Sequence, residues 1–139
     1  IRSDTLSEGS GRFVAWAFAW QQINEVLFTG GGFGYTENLY TVFENELSLL
    51  GHQGNAHNSY LTIWLDTGLI GISLYAIGLL RLSILSASKS LIALPIIFSV
   101  LFSTNFESWL SASLNPFTSL FLIIFTLLLS TKREVEYDA

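Results

Sequence analysis

Cationic side chains are scarce in these 139 residues: six Lys and Arg stand against eleven Asp and Glu, for a net charge of −5. That leaves no basic stripe to track a nucleic-acid backbone, so DNA and RNA are set aside as partners. Cysteine is absent. Its absence removes thiolate ligands but fixes no compartment, since many cytosolic chains of this length also lack it. Charge of either sign is thin at 12%, whereas half of the residues are hydrophobic and 14% are aromatic. With a mean hydropathy of +0.50, the chain lies well off the balance of soluble domains and requires a lipid solvent. The first ten residues hold neither the basic nor the apolar region of a signal peptide, and the chain opens on Ile1. It reads as the C-terminal part of a longer protein. No internal repeat is visible.

What is present is concentrated after Tyr60. Three apolar stretches, about 61–85, 91–106 and 116–131, are separated by short polar breaks; the first holds Asp66 and Arg81, and the second has Pro95 inside. A spanning helix needs about 20 residues at ~1.5 Å rise each, so the second and third are somewhat short. Three buried core helices would leave almost nothing polar to cover them, and the expected fold class is therefore all-α, a polytopic transmembrane helical protein. Arg81 and Lys89 flank one break and Lys132 and Arg133 follow the third stretch. Those ends face the cytoplasm by the positive-inside rule. Residues 1–60 then face the periplasm or the cell exterior, with a cytoplasmic tail over 132–139. Tyr60, Trp64 and Trp109 fall at the outer interface, where amphipathic rings prefer to sit.

Within the outer segment, Ser10 and Gly11 precede a run from Arg12 to Phe28 with Phe13, Trp16, Trp20, Ile23 and Leu27 at helical spacing. The pattern predicts an amphipathic helix that either lies on the outer leaflet or packs its aromatic face on other parts of the protein. Gly30, Gly31, Gly32 and Gly34 then make a turn. A looser acidic stretch from Tyr35 to Gly54 follows.

Arg12 at a helix start sets a guanidinium beside unpaired backbone N–H groups, a setting that attracts phosphate oxygens; the plainer alternative is a solvated or salt-bridged arginine. The glycines lack the following Lys and Ser or Thr of a nucleotide-binding loop. His57 is a side chain type able to take a proton from an attacking hydroxyl, although a lone histidine is more often structural. His52 and His57 are five apart with no further ligand to complete a metal set, and no metal site is expected. Asp66 and Glu107 lie near the outer ends of spans, where carboxylates tend to line polar cavities. Asp66 has a second explanation at the positive end of its own helix.

The order Gly11-Arg12-Phe13-Val14-Ala15-Trp16, Gly32-Phe33-Gly34, Ala56-His57-Asn58-Ser59-Tyr60-Leu61 and Asp66-Thr67-Gly68-Leu69-Ile70-Gly71 resembles the O-antigen ligase and polymerase superfamily. The motifs cover about Ser10 to Tyr75, and the remainder agrees through hydropathy alone. The resemblance implies a polytopic, glycosyltransferase-C-like helical architecture with a large periplasmic loop, in the bacterial inner membrane. It implies a saccharide on undecaprenyl diphosphate as donor and a growing glycan, a lipid A core or a protein side chain as acceptor. Arg12 matches the arginine of an R-x-x-x-W element that holds the donor diphosphate. His57 matches the histidine of an H-N-x-x-L element that activates the acceptor hydroxyl, with Asn58 beside it. Asp66 occupies an acidic place that is usually glutamate in relatives, and Glu107 is a further supporting candidate. A second cationic site of the family has no counterpart here, so this stretch is an incomplete catalyst. The reaction implied is a metal-independent, inverting glycosyl transfer that needs no cofactor, for a polymerase or a ligase of surface polysaccharide. The rival readings are a transporter in which Asp66 and Glu107 line a polar path with Pro95 as a helix break, and a noncatalytic scaffold of polysaccharide export that binds a partner through Phe13, Trp16 and Trp20.

Overall fold

The computed structural model describes residues 11–111 and 115–130. Ser10, the outer charges Arg2, Asp4 and Glu8, the cationic end at Lys132 and Arg133, and the tail lie outside the described residues. Within them the chain is helix and turn: α1 (Arg12–Ile23), α2 (Tyr35–Val42), α3 (Glu44–Leu49), α4 (Ser59–Lys89), α5 (Ala93–Ser103) and α6 (Pro116–Ser130).

Helix α1 forms where the periodicity places it, but it buries a different face. Ala15, Ala19 and Ile23 are buried, whereas Phe13 and Trp20 are 63% and 53% exposed. Ala19 and Ile23 let α1 approach Leu39 of α2 and Leu61 and Leu65 of α4, while Ala15, four residues before Ala19 on the same stripe, packs with Tyr40, Leu47 and Ala56. Small residues win the interface because bulky rings would hold the helices apart. The helix also stops at Ile23 rather than Phe28. The chain turns there, so that the carbonyls of Leu27 and Phe28 reach α4. Residues 35–49, expected to be loose, instead form α2 and α3, which bury Leu39, Tyr40 and Leu47.

Helix α4 is broken at Gly68, whose φ of 67° and ψ of −171° lie in a region open to glycine almost alone. The break frees backbone groups that a continuous helix would pair. The Leu69 N–H donates to Leu27 O at 2.8 Å and Ile70 N–H to Phe28 O at 3.2 Å, while Gly31 N–H and Gly32 N–H donate to Leu65 O at 2.8 Å and Asp66 O at 2.9 Å. The glycine turn is therefore stitched into the helix by backbone bonds. A Cβ on Gly68 would collide with the Phe28 carbonyl.

Beyond the break, Leu69 to Lys89 make about 21 residues, or ~31 Å at ~1.5 Å each, which matches the ~30 Å hydrocarbon layer. Helix α4 is long and apolar enough to cross a membrane, and only 6% of its most apolar stretch is buried. That surface suits lipid or another apolar helix rather than water. Helices α5 and α6 are shorter apolar helices that pack on each other through Ala93, Ile97, Phe121, Phe125 and Leu128. Pro95 is no break. It stands in the first turn of α5, where its missing N–H has no helical partner to lose. Lys89 Nζ donates to Leu129 O, and the Tyr60 hydroxyl donates to Leu101 O at 2.9 Å. The first contact joins the ends of α4 and α6, and the second ties the start of α4 to the end of α5.

Candidate functional site

Arg12 is the first residue of α1, His57 lies in the loop before α4, and Glu107 lies in the loop after α5. The fold joins all three. Arg12 Nη2 stands 3.1 Å from Glu107 Oε1, and His57 Nδ1 stands 3.9 Å from Glu107 Oε2. The first contact is an ion pair with hydrogen-bond geometry; the second is too long for a hydrogen bond. All three side chains remain open to solvent, at 36%, 32% and 53% of their surface for Arg12, His57 and Glu107. A guanidinium with five N–H donors that spends one on a carboxylate keeps the rest for another anion.

Side chains from the same motifs fix these positions. The Trp16 indole donates to Ala56 O at 3.0 Å, fastening α1 to the residue before His57. His57 has a φ of 45°, unusual outside glycine, and its N–H donates to Asn55 Oδ1 at 2.9 Å. This Asx-type bond holds the turn. Asn58 caps α4, its Oδ1 accepting from Tyr60 N–H at 2.9 Å and Leu61 N–H at 3.0 Å. Its Nδ2 donates to Asn105 O at 3.1 Å and its N–H to Ser108 Oγ at 3.0 Å. Ser59 Oγ donates to Glu107 O at 2.8 Å. One helix start thus grips the loop that carries Glu107. Gly11, at φ 76°, serves close approach, since a Cβ there would meet Gly51 O at 2.5 Å and His52 Cα at 3.0 Å.

His52 is 1% exposed, and its ring meets His57 edge-on at 5.8 Å between centroids. Its Nε2 has no hydrogen-bond partner among the described residues. Burial first, and the neighbouring His57 second, push its pKa below the usual histidine range. His52 is a neutral wall behind His57.

A family model described as O-antigen ligase matches residues 2–76, more than half of the 139-residue chain. The chain belongs to the O-antigen ligase family. Its function is accordingly of the O-antigen ligase or polymerase type, with glycosyltransferase-like catalysis on glycan and lipid-linked substrates. Together with α4, membership gives the chain a membrane location. No curated protein and no solved structure matches it.

The span matched by the O-antigen ligase family model contains Arg12, His57, Asn58 and Asp66 but not Glu107. Glu107 was legible only as a boundary carboxylate, and its partners are made by the fold. Asp66 stands apart from the trio and does not serve its own helix. Its Oδ1 accepts from Thr36 N–H at 2.8 Å and Thr36 Oγ1 at 2.6 Å, so it caps α2, whose own N-cap, Gly34, has no side chain to offer. Sequence reasoning missed Ser59, Ser108 and the Trp16 indole as positioning groups. Their partners lie 40 or more residues away in sequence, so no local pattern signals them.

Proposed function

We propose that this chain supplies the acceptor-activating and diphosphate-holding half of a glycosyl-transfer site at the outer face of the bacterial inner membrane. The observation that carries the reading is the meeting of Arg12 and His57, from separate segments, on the one carboxylate of Glu107. The donor is a saccharide on undecaprenyl diphosphate. Arg12 holds the diphosphate and stabilises the negative charge that grows on it as the sugar departs. His57 takes the proton of the acceptor hydroxyl at Nε2 while Nδ1 faces Glu107. The acceptor oxygen bonds to the anomeric carbon, the carbon–oxygen bond to phosphate breaks with its electrons going to the diphosphate, and a single displacement inverts the configuration. A guanidinium in this role makes a metal dispensable. The acceptor is a growing glycan for a polymerase or a lipid A core for a ligase.

Three membrane crossings by α4, α5 and α6, with residues 1–60 outside, follow on the same reading. The Lys89 contact with Leu129 O supports it by drawing the α4 and α6 ends together on the cation-rich side. The transporter reading loses support because Pro95 breaks no helix and Glu107 is engaged by Arg12.

Arg12→Ala and His57→Ala, made in the intact protein in its own cells, are expected to abolish long-chain surface polysaccharide at unchanged protein level. Removal of a general base costs about 10²–10⁴-fold in rate. A polymerase defect leaves single lipid-linked repeat units, and a ligase defect leaves polymer on the carrier lipid. Near-normal product from either variant removes that residue from the reaction.

A further inference from the structure

Beside the trio lies an open groove of about 530 Å³ between α2, α3, the loop before α4 and the loop after α5, a size in the range of small-ligand clefts, ~300–1,000 Å³. Arg12, His57 and Glu107 do not line it, but residues beside them do. A Cβ on Gly54, which lines the groove, would sit 3.5 Å from His57 Nε2. Asn55, also in the lining, accepts the His57 N–H, and Ser108 follows Glu107 directly. An acceptor bound in the groove presents a hydroxyl to His57.

The lining describes the ligand. Thr41, Thr62, Ser108 and Ser111 bring hydroxyls whose protons go to Glu37 O, Asn58 O, Asn55 Oδ1 and Ser108 O, so their oxygens face the groove as acceptors, and Asn55 adds an amide; such a lining matches the many hydroxyl donors of a polyol. Phe33, at the mouth, is 99% exposed on the turn between Gly32 and Gly34. A bare aromatic ring at the lip of a polar groove suits the C–H face of a sugar ring. The charge of the groove is one-sided. Glu37, Glu44 and Asp66 line it, no Lys or Arg does, and none of the three carboxylates meets a cation among the described residues. The Asp66 Oδ2 has no hydrogen-bond partner among them, since both Thr36 donors go to Oδ1.

We infer that this groove is the acceptor subsite and that it takes an uncharged saccharide chain, rejecting acceptors that carry uronate or phosphate. The inference rests on the glycosyl-transfer reading and sharpens it, because a phosphate-bearing core glycan is repelled where a neutral repeat unit is welcomed. Glu37 and Glu44 set the selectivity and Phe33 supplies a platform.

The test uses the purified intact protein in lipid nanodiscs and saturation-transfer NMR, which needs no turnover. The probes are oligosaccharide fragments of the cells' own surface glycan, the same fragments oxidised at their primary hydroxyls to uronates, and core oligosaccharide before and after removal of its phosphates. Neutral fragments are expected to bind, with uronate or phosphate forms about tenfold weaker through like-charge repulsion. The pair Glu37→Gln and Glu44→Gln erases that difference, and Phe33→Ala weakens the neutral form severalfold. Both carboxylates and the ring are exposed, so these variants fold. Preferential binding of dephosphorylated core over repeat fragments assigns the groove to a ligase, and the reverse to a polymerase. Equal binding of charged and neutral forms, or binding indifferent to all three substitutions, overturns the inference. Groove binding in a protein that transfers no glycan leaves a neutral-saccharide site standing but ends the transferase reading and the acceptor role with it. Transfer whose acceptor KM and charge preference ignore the groove variants does the opposite.

Discussion

On the proposed function Glu107 is the carboxylate that joins Arg12 to His57, and its exposure bears on what that contact is for. A pair as open as Arg12 and Glu107, at 36% and 53% of side-chain surface, contributes at most ~1 kcal/mol to stability in water. On that reading its value lies in orientation: the carboxylate aims the guanidinium and stands 3.9 Å from Nδ1 of His57. Glu107→Gln is therefore expected to leave the melting temperature nearly unchanged while lowering kcat by about ten- to a hundredfold, a smaller loss than the ~10⁴-fold seen where such a carboxylate is in hydrogen-bond contact. Unaltered kcat would assign Glu107 to the surface. His52 gives a second prediction of this size. Its pKa is lowered in the fold, so between that value and the ordinary ~6.5 the unfolded chain binds the proton that the folded chain refuses. The stability it contributes is fully present above ~6.5 and falls as the pH drops through the lowered value. Thermal unfolding from pH 7.5 downward should show less acid sensitivity in His52→Phe, which keeps the edge-on ring against His57 but cannot titrate; an unchanged slope would remove His52 as the cause.

Among elements, the crossing of the glycine turn with α4 is the least tolerant feature. Gly68→Ala imposes a backbone conformation costing about 1–3 kcal/mol, and its methyl group also meets the Phe28 carbonyl. The variant is expected to melt several degrees lower in detergent and to lose activity, whereas Gly78→Ala, in a part of α4 where an added Cβ meets nothing within 4 Å, should match or exceed the parent. Equal melting of the two variants would show that the break at Gly68 is dispensable. The sequence made α1, the turn and the apolar helices legible because periodicity and glycine content are local signals. It concealed the break, since Gly68-Leu69-Ile70-Gly71 sits within an unbroken apolar run and the groups that replace the helical bonds come from residues 27–32. It also misdirected part of the buried face of α1: Ile23 and Trp16 pack inward as the spacing suggests, but the large rings of Phe13 and Trp20 drew attention from the Ala19 methyl group, which close helix contact favours. Arg12 and His57 were legible through their motifs, and their convergence on Glu107 depends on the Asn58 and Ser59 clamp, which has no local signature.

For the whole molecule, the proposed topology puts the site and Lys89 on opposite faces of the bilayer. These 139 residues hold no cysteine, so a thiol introduced here reports on it once any cysteine elsewhere in the intact protein has been replaced. Glu25→Cys in the intact protein should react with a membrane-impermeant maleimide in whole spheroplasts, and Ser88→Cys only after permeabilisation; the opposite pattern would reverse the proposed sidedness. The broken helix links the two regions in a further way. Peeling the outer segment away would strip the Leu65 and Asp66 carbonyls and the Leu69 and Ile70 N–H groups of the partners that replace their helical bonds, which on the proposed topology is costly at the edge of the hydrocarbon. Access for a bulky lipid-linked substrate must therefore come from tilting the segment and the upper part of α4 together, like a hinged bracket, rather than from a flap that lifts alone.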